Sequence, residues 1–336
     1  MNVDAFDFVL PERLIAQSPL NDRASSRLMV LDRDAATISH HIFSDMVDHV
    51  GEGDVIVVND TKVIPARLLG QKTDTQGAIE LLLLHEIEPN TWQCLAKPVR
   101  RLHVGTVISF GPTLQGTIQA IHPEGIVDVH FLFEGIFLEI LDALGEVPLP
   151  PYIKAQLEDP DRYQTVYANA AGSAAAPTAG LHFTNELLDQ LRQKGATIAS
   201  ITLHVGLGTF RPVKVEDTKD HIMHAEFYQV SDEAARLIQR ATRVIAVGTT
   251  VMRTLETMWA THQAITPCQG WSTLFITPGF EFGVVDSLIT NFHLPKSTLM
   301  MLVSAFSSMA FIQQAYQLAI QEEYRFFSFG DAMWIR

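Results

Sequence analysis

Short apolar runs alternate with polar segments that contain glycine or proline between residues 55 and 133. The runs recur about every ten residues, a spacing typical of small antiparallel sheets or barrels. In chain order they are VIVV, ARLLG, IELLLLH, WQCLAKP, TVISF, LQGTIQAI and IVDVHFLF. The pattern therefore predicts an antiparallel β region, either small sheets or a barrel.

A different pattern begins after Gly145, where segments suited to strands alternate with segments suited to helices. Residues 184–194 have the apolar spacing of an amphipathic helix, and Gly195 is its expected stop. Ser231 is expected to cap a second helix that ends near Thr242. Further strands are expected at ATIASITLHV, RVIAV and WSTLFIT, with a helix that opens at Thr249 or Thr250. This alternation predicts an α/β domain.

The N-terminal segment ends in the strand VIVV, and the predicted barrel interrupts the chain immediately afterwards. We therefore expect an α/β body of residues 1–60 and 149–336, with residues 61–148 inserted as a separate β-barrel domain. The chain has 336 residues, of which 47% are hydrophobic, so it can bury a substantial core. Its length suggests one large domain or two domains of ordinary size.

The sequence favours the reducing cytoplasm. Its two cysteines, Cys94 and Cys268, are far apart and show no paired spacing for a disulfide or a thiolate zinc site. The N-terminus is acidic and lacks the basic start and apolar run of a signal peptide. No apolar stretch reaches the roughly 18 residues of a membrane span. We expect neither export nor a membrane location.

Net charge argues against nucleic acid when it is considered alone. The chain carries −14, whereas proteins that bind phosphate backbones usually have an excess of Lys and Arg. The charge is uneven, however. Residues 62–101 hold six basic residues against four acids, and residues 113–146 hold six acids and no Lys or Arg. A local basic surface is therefore compatible with the composition.

Four segments contain more glycine, histidine and polar residues than packing requires. They are NDTKVIPAR (59–67), AAPTAGLHFT (175–184), TLHVGLGTFRPV (202–213) followed by HIMHAE (221–226), and TNFHLPKST (290–298). Loops at strand ends are where α/β proteins usually build their sites. His182, His204 and His293 lie where an apolar run meets a turn, and burial there would keep a neutral base near pH 7. A structural imidazole is the alternative for each of them.

His221, His224 and Glu226 form an H-x-x-H-x-E pattern, and these side-chain types suit zinc or iron. No third histidine follows at the usual spacing, so a polar substrate pocket or a plain surface loop fits the pattern better. We expect no metal. A metal-dependent small-molecule enzyme that uses these three residues, without nucleic acid, is nevertheless the alternative function.

Gly248, Thr249 and Thr250 lie where a strand ends and a helix begins. The free N–H groups of such a helix start bind anions, although a simple helix cap explains the same residues. LPKST resembles the end of a phosphate loop, but the upstream glycine of that motif is absent. No G-x-G-x-x-G follows a strand either, so neither an ATPase nor a Rossmann nucleotide site is expected.

These segments resemble the S-adenosylmethionine:tRNA ribosyltransferase-isomerase family of queuosine biosynthesis, and the resemblance spans nearly the whole chain. The segments that carry it are FDFVLPERLIAQSPLNDRASSRLMVL, VVNDTKVIPARL, GEVPLPPYI, RYQTVYA, AAPTAGLHFT, TLHVGLGTFRPV, AVGTTVMRTLE, TNFHLPKSTLMMLVSAF and YRFFSFGDAMWI. The resemblance implies a barrel-like α/β body with a small inserted antiparallel β-barrel. A noncatalytic RNA-binding module is a further alternative, but it leaves the glycine-bounded polar loops without a purpose.

The family resemblance implies that S-adenosylmethionine is a consumed co-substrate and that no cofactor is needed. The second substrate is a tRNA that carries 7-aminomethyl-7-deazaguanine at the wobble position, and the products are epoxyqueuosine-tRNA, adenine and methionine. The sulfonium acidifies the ribose 5′ hydrogens, so a base can form an ylide, open the ribose and expel adenine. The tRNA aminomethyl nitrogen then attacks the sugar, and epoxide closure displaces methionine. We expect a monomer.

The candidate residues lie mainly in the matching segments. Catalytic candidates are His182, His204, His293, Asn59 and Asp60. Substrate-binding candidates are Arg67, Thr178, Gly180, Phe183, Gly206, Gly208, Thr209, Phe210, His221, His224, Glu226, Gly248, Thr249, Thr250, Asn291, Lys296, Ser297 and Thr298. Candidates for tRNA binding are Lys62, Lys97, Arg100 and Arg101. The motif KPVRR is the densest basic site, although a solvated turn between two strands is the alternative.

Overall fold

The computed structural model describes residues 1–155, 157–206, 213, 215–223 and 225–336. The chain forms two compact units. The first contains Met1–Thr61, Pro151–Ala170 and Pro177–Arg336, and the second contains Lys62–Pro150 and Ala171–Ala176. The expected insert, 61–148, starts one residue earlier and ends two residues earlier than the main part of the second unit. The sequence did not indicate that Ala171–Ala176 belongs there.

The strands are as follows: β1 (Arg27–Asp32), β2 (Thr37–Ile42), β3 (Asp54–Asn59), β4 (Thr61–Val63), β5 (Arg67–Lys72), β6 (Ala78–Glu88), β7 (Thr91–Lys97), β8 (Val107–Ser109), β9 (Leu114–Ile121), β10 (Ile126–Phe133), β11 (Ala170–Ser173), β12 (Thr197–Leu203), β13 (Glu226–Val230), β14 (Arg243–Val247), β15 (Cys268–Ser272), β16 (Ser287–Asn291) and β17 (Ala332–Ile335). The α-helices are α1 (Phe137–Leu144), α2 (Asn185–Gln193), α3 (Asp232–Gln239), α4 (Thr249–His262), α5 (Thr298–Phe306) and α6 (Met309–Gln321).

One mixed sheet of nine strands dominates the first unit, in the order β15, β13, β12, β3, β14, β16, β17, β1 and β2. The α/β class is confirmed. The body implied by the family resemblance was barrel-like, whereas this sheet has two edge strands within the described residues. A short second sheet pairs β4 with β11.

The middle of the large sheet is parallel. Strands β12, β3, β14 and β16 are neighbours in that order, and each adjacent pair is parallel. All six residues of β3 are buried, as expected for a parallel strand that is covered on both faces. The carboxyl ends of the four strands therefore lie along the same edge, and the loops that follow them begin there.

Helix α2 covers one face of this sheet. Its Leu187, Leu188 and Leu191 pack in the same buried cluster as Ile56 and Val58 of β3. Clusters of this kind supply most of the apolar burial that stabilises a domain. The predicted helix over 184–194 is confirmed, and the hydroxyl of its N-cap residue accepts a hydrogen bond from the Leu187 N–H at 3.1 Å.

Two other sequence-based boundaries shifted. Ser231 caps α3 as predicted, through a 3.2 Å bond from the Ala234 N–H, but the helix ends at Gln239. The strand expected over WSTLFIT ends at Ser272. There the Leu274 N–H donates to the Ser272 hydroxyl at 3.4 Å, so it is not used to extend the strand pairing. Among the described residues no single helix could cross a membrane, and only α5 and α6 together reach that length and hydropathy, across a 116° bend.

The second unit contains a closed antiparallel barrel. Its strand order is β10, β7, β6, β5, β8 and β9, with β9 paired back to β10. Alternate residues point inward, as Trp92, Cys94 and Ala96 of β7 illustrate by their burial. The barrel predicted from the alternating runs is confirmed.

Candidate active site

Most of the predicted site residues lie at the carboxyl edge of the four parallel strands. Asp60 follows β3, His204 follows β12, Gly248 follows β14, and His293 lies two residues after the end of β16. The short helical turn Thr178–His182 contacts β16 and adds a fifth segment to this edge. Five segments that are distant in sequence therefore bring polar side chains to one place.

His182 belongs to a chain of hydrogen bonds in which both ring nitrogens are occupied. The Thr178 hydroxyl donates to Asn291 Oδ1 at 3.0 Å, and Asn291 Nδ2 lies 3.1 Å from His182 Nε2. On the other side, His182 Nδ1 lies 2.7 Å from Ser26 Oγ, which donates to the Arg23 carbonyl at 3.4 Å. These directions place the imidazole proton on Nδ1 and make Nε2 an acceptor.

Burial keeps the His182 imidazole neutral. The side chain is 4% exposed and its ring stacks on Phe43 with 4.9 Å between centroids. Desolvation, aided by the positive charges of Arg23 and Arg325, lowers the pKa of His182 to about 3. Both ring nitrogens are bonded and the imidazole is a very weak base. This histidine therefore fits a structural role, in which it orients Asn291 and, through it, Thr178.

His293 is neutral for a similar reason. Its ring Nε2 lies 2.9 Å from the Thr290 hydroxyl, and its backbone N–H donates to the Tyr316 hydroxyl at 2.9 Å. Burial alone lowers the pKa of His293 to about 3. The geometry holds the turn after β16 in place, and the low pKa makes this imidazole a weak base.

His204 differs from both. Thr61 Oγ1 donates to the Ala170 carbonyl at 3.4 Å, so its oxygen is available to accept His204 Nδ1–H at 2.9 Å. That arrangement leaves the lone pair on Nε2, for which no hydrogen bond exists within the described residues. Burial lowers the pKa of His204, but the negative charge of Asp60 opposes the shift. The ring is half-buried and stacks on Phe227 at 5.9 Å.

The other two catalytic candidates, Asn59 and Asp60, have different surroundings. The Asn59 amide is fully buried and binds backbone: Nδ2 donates to the Leu203 carbonyl at 2.8 Å, and Oδ1 accepts the Leu203 and Thr61 N–H groups at 3.0 and 3.1 Å. These contacts fix the ends of β3 and β12 together. Asp60 Oδ1 accepts from the Thr202 hydroxyl at 2.7 Å and remains half-buried beside the loop.

The start of α4 is constrained by glycine. Gly248 has φ of +95°, a conformation that side chains other than glycine rarely adopt. A Cβ placed there would lie 3.7 Å from the Ala179 Cβ, so the 178–182 turn packs directly beside this helix start. No side chain caps the first turn within the described residues. The buried Thr249 and Thr250 are the first two residues of this helix. The free N–H groups of its first turn suit an anionic or polar ligand group.

Several predicted binding residues have other partners. Lys296 forms ion pairs with Asp4 at 2.7 Å and Asp7 at 3.1 Å. Ser297 caps α5 by accepting the Met300 N–H at 3.1 Å, which is the helix-cap role that explains the LPKST segment, and Thr298 is the first residue of that helix. Arg67 lies in the second unit and pairs with Glu80 at 3.0 Å.

Glycine and aromatic positions near the 178–182 turn serve packing. A Cβ on Gly180 would lie 2.0 Å from the Tyr167 hydroxyl, so only glycine fits there. Phe183 is fully buried and packs edge-on against Phe43 at 5.0 Å. Four predicted residues, Gly208, Thr209, Phe210 and His224, lie outside the described residues.

The acidic member of the suspected metal pattern is engaged by an arginine. Glu226 and Arg253 are 5% and 4% exposed, and Arg253 Nη1 lies 2.9 Å from Glu226 Oε2. The Gly206 N–H donates to Glu226 Oε1 at 3.4 Å. His221 packs edge-on against Phe275 at 5.2 Å. No group of three or more His, Cys, Asp or Glu residues in the described part of the chain is placed to hold a metal, so the metal-dependent alternative is not supported.

Comparison with known protein families gives a match over nearly the whole chain. Residues 3–335 match the family model described as queuosine biosynthesis protein. The chain belongs to this family. It is also similar to the crystal structure of S-adenosylmethionine tRNA ribosyltransferase from Thermotoga maritima, with 37% sequence identity and a TM-score of 0.56. That similarity covers 99% of this chain and 100% of the Thermotoga protein.

Sequence reasoning missed the residues that orient the three candidate histidines. Ser26, Thr61 and Thr290 each contact one of the three imidazoles. None was a named candidate, although Thr61 and Thr290 lie in two of the predicted polar segments. Short hydroxyl side chains are too common in sequence to signal such roles. Arg253 was also missed, although a charged residue among the buried positions at the start of an apolar helix was an available signal.

Proposed function

We propose that the chain transfers and isomerises the ribosyl group of S-adenosylmethionine onto 7-aminomethyl-7-deazaguanine at the wobble position of a tRNA. The products are epoxyqueuosine-tRNA, adenine and methionine. The observation that carries this proposal is His204 at the carboxyl edge of the sheet, with Nδ1 on Thr61 and the Nε2 lone pair available. Family membership over residues 3–335 supports the reaction class.

His204 acts as the base in this proposal. Its Nε2 takes a proton from the ribose 5′ carbon, which the adjacent sulfonium acidifies, and the negative charge of Asp60 stabilises the imidazolium that forms. The resulting ylide opens the ribose and expels adenine. The tRNA aminomethyl nitrogen attacks the unsaturated sugar, and closure of the epoxide displaces methionine.

The remaining polar groups at the edge bind and orient the sugar. The Thr178, Asn291 and His182 chain supplies a fixed set of hydrogen-bonding groups, because each member is held by the next. The uncapped first turn of α4 offers further N–H donors. Asn59 joins the ends of β3 and β12 through its hydrogen bonds to Leu203, and it is a positioning residue.

No metal or other cofactor takes part in the proposed reaction, and S-adenosylmethionine is consumed as a co-substrate. A sulfonium leaving group and an acidified carbon need a base, a proton donor and polar contacts, all of which side chains supply. The enzyme acts as a cytoplasmic monomer in this proposal.

The tRNA docks partly on the second unit, at Lys97, Arg100 and Arg101. All three side chains are exposed, and none forms an ion pair within the described residues. An enzyme of net charge −14 repels a polyanion at long range, so a local excess of cations favours productive encounter. Lys62 is also exposed and belongs to the same unit.

The direct test is to incubate the enzyme with S-adenosylmethionine and precursor tRNA and to measure free adenine. We expect adenine release only when both substrates are present, and we expect it to persist after exhaustive chelation. Adenine release without the aminomethyl base, or activity that chelation abolishes and zinc or iron restores, would contradict the proposal.

A further inference from the structure

Two buried donors of Arg253 have no partner in the part of the chain that the structure describes. The side chain is 4% exposed, and its Nη1 donates to Glu226 Oε2 at 2.9 Å. Its Nε and Nη2 are both buried and have no hydrogen-bond partner among those residues. Among the described residues it is the only side chain with two such donors. Buried donors are normally satisfied, so this arrangement is incomplete without a further acceptor.

The two open donors lie on one edge of the guanidinium, and another arginine of this chain shows what that edge binds. Arg243 uses its Nε and Nη2 on the two carboxylate oxygens of Asp54, at 2.9 and 2.5 Å. This side-on arrangement matches the spacing of a carboxylate. The open edge of Arg253 is therefore shaped for the same planar anion.

Arg253 also lies at the sheet edge that carries His204. Its partner Glu226 begins β13, which pairs with β12, and Phe227 accepts the His204 backbone N–H at 3.0 Å. The Gly206 N–H reaches the same Glu226 carboxylate. Glu226 and Phe227 are neighbours in β13, so Arg253 and His204 are each bonded to one of two adjacent residues at this end of the sheet.

We infer that the open edge of Arg253 binds the α-carboxylate of the methionyl group of S-adenosylmethionine. The inference rests on the proposed function, because it takes S-adenosylmethionine as the ligand of this edge. The pairing of Arg253 with Glu226 already neutralises the guanidinium, so a second carboxylate leaves a net negative charge. The ammonium and sulfonium of the same ligand carry two positive charges, which more than compensate for that charge.

This contact makes Arg253 a substrate-binding residue away from the reacting carbon. Holding the methionyl end fixes the sulfonium and thereby the adjacent 5′ carbon. The carboxylate remains on methionine after the reaction, so the contact with Arg253 breaks when methionine dissociates. Discrimination against analogues without a carboxylate follows, because such ligands leave the two donors unpaired.

The test compares S-adenosylmethionine with its decarboxylated form, which keeps the sulfonium and the amine. Calorimetric titration would give both affinities for wild type and R253K, since lysine keeps the charge but loses the two-donor edge. We expect R253K to weaken S-adenosylmethionine binding by roughly 10- to 100-fold and to change decarboxylated ligand binding by less than about twofold. R243K is the matched control: it removes the same type of edge at a structural pair and should leave the ratio of the two affinities unchanged.

Thermal unfolding without ligand would check each variant, and a second variant covers the case in which R253K does not fold. E226Q removes the competing carboxylate charge while Arg253 remains, so it should strengthen S-adenosylmethionine binding several-fold relative to the decarboxylated ligand.

Equal changes for both ligands in these variants would overturn the inference. So would a loss of tRNA affinity in R253K with unchanged S-adenosylmethionine affinity, which would assign the edge to a phosphate. Wild type that releases no adenine when S-adenosylmethionine and precursor tRNA are both present would instead refute the proposed function.

Discussion

The His182 and His204 regions lie on the same sheet edge but have opposite chemistry. His182 is fully enclosed, has partners on both ring nitrogens, and has its pKa lowered to about 3 by burial and by neighbouring arginines. His204 is half-buried, has a partner on Nδ1 only among the described residues, and has a nearby carboxylate that opposes the lowering of its pKa. The protein therefore bonds both ring nitrogens of His182, whereas Nε2 of His204 has no partner among the described residues.

The difference shows that a histidine at a strand end is not enough to identify a base. What separates the two is the second ring nitrogen, which Asn291 engages in His182, and the sign of the nearby charges, which is positive at His182 and negative at His204. Ser26 and Asn291 close the first ring on both sides, while Thr61 fixes only the tautomer of the second. Two experiments test this contrast and a third tests the surface proposed for tRNA, in order of decreasing effect.

Replacement of the open histidine should have the largest effect. His204→Gln removes the proposed base and should lower turnover by about 10²-fold or more, while the free energy of unfolding falls by no more than about 1 kcal/mol, the usual contribution of one hydrogen bond. Steady-state adenine release and urea unfolding would measure the two quantities. The exposed His262 on α4 offers a matched control, since His262→Gln should change neither. Unchanged turnover in His204→Gln would return this residue to a structural role.

The enclosed histidines should appear in the pH dependence of stability. Their folded pKa of about 3 lies below the usual value of 6.5, so the unfolded chain binds more protons between these limits. Stability is therefore complete above pH 6.5 and falls as the pH decreases towards 3. Each histidine should contribute a slope of about 1.4 kcal/mol per pH unit in that window.

His182→Gln isolates one of these contributions. The difference in unfolding free energy between pH 6 and pH 5 should be smaller in the variant than in wild type by about 1.4 kcal/mol. Urea unfolding at the two pH values gives this difference directly. Parallel pH profiles for the two proteins would show that His182 is not held neutral in the folded state.

The smallest effect is expected for tRNA affinity when basic residues of the second unit are replaced. Replacing Lys97, Arg100 and Arg101 by alanine should weaken tRNA binding across sequences and reduce the magnitude of the salt slope by about one per residue. Affinity for S-adenosylmethionine should not change. Filter-binding measurements at several salt concentrations would test this. Identical slopes with folding intact would place the tRNA surface elsewhere, with Arg23, Arg27, Lys62 and Arg67 the next candidates.

Much of the fold was predictable because local patterns agree with it. The six apolar runs of the barrel are strands β5 to β10, and Thr184 and Ser231 cap the helices that they were expected to cap. Joining of the strands into one nine-stranded sheet was not predictable, because pairing between distant strands leaves no local periodicity. The return of Ala171–Ala176 to the second unit has the same cause.

The site was predictable as a set of loops but not as a set of roles. Pattern reasoning found that polar loops follow the parallel strands, because glycine, proline and histidine interrupt apolar runs there. It could not distinguish His204 from His182, since their difference lies in contacts with Thr61, Ser26 and Asn291. Lys296 was expected to bind substrate, and only the folded chain brings Asp4 and Asp7 to it.

The central claim is that the ribosyl group, not the methyl group, leaves S-adenosylmethionine for tRNA. Parallel reactions with methyl-labelled and ribose-labelled S-adenosylmethionine, followed by isolation of tRNA and methionine, test it most directly. The account predicts that ribose label appears in tRNA and that methyl label is recovered entirely in methionine. Methyl label on tRNA, or tRNA without ribose label while adenine is released, would contradict it.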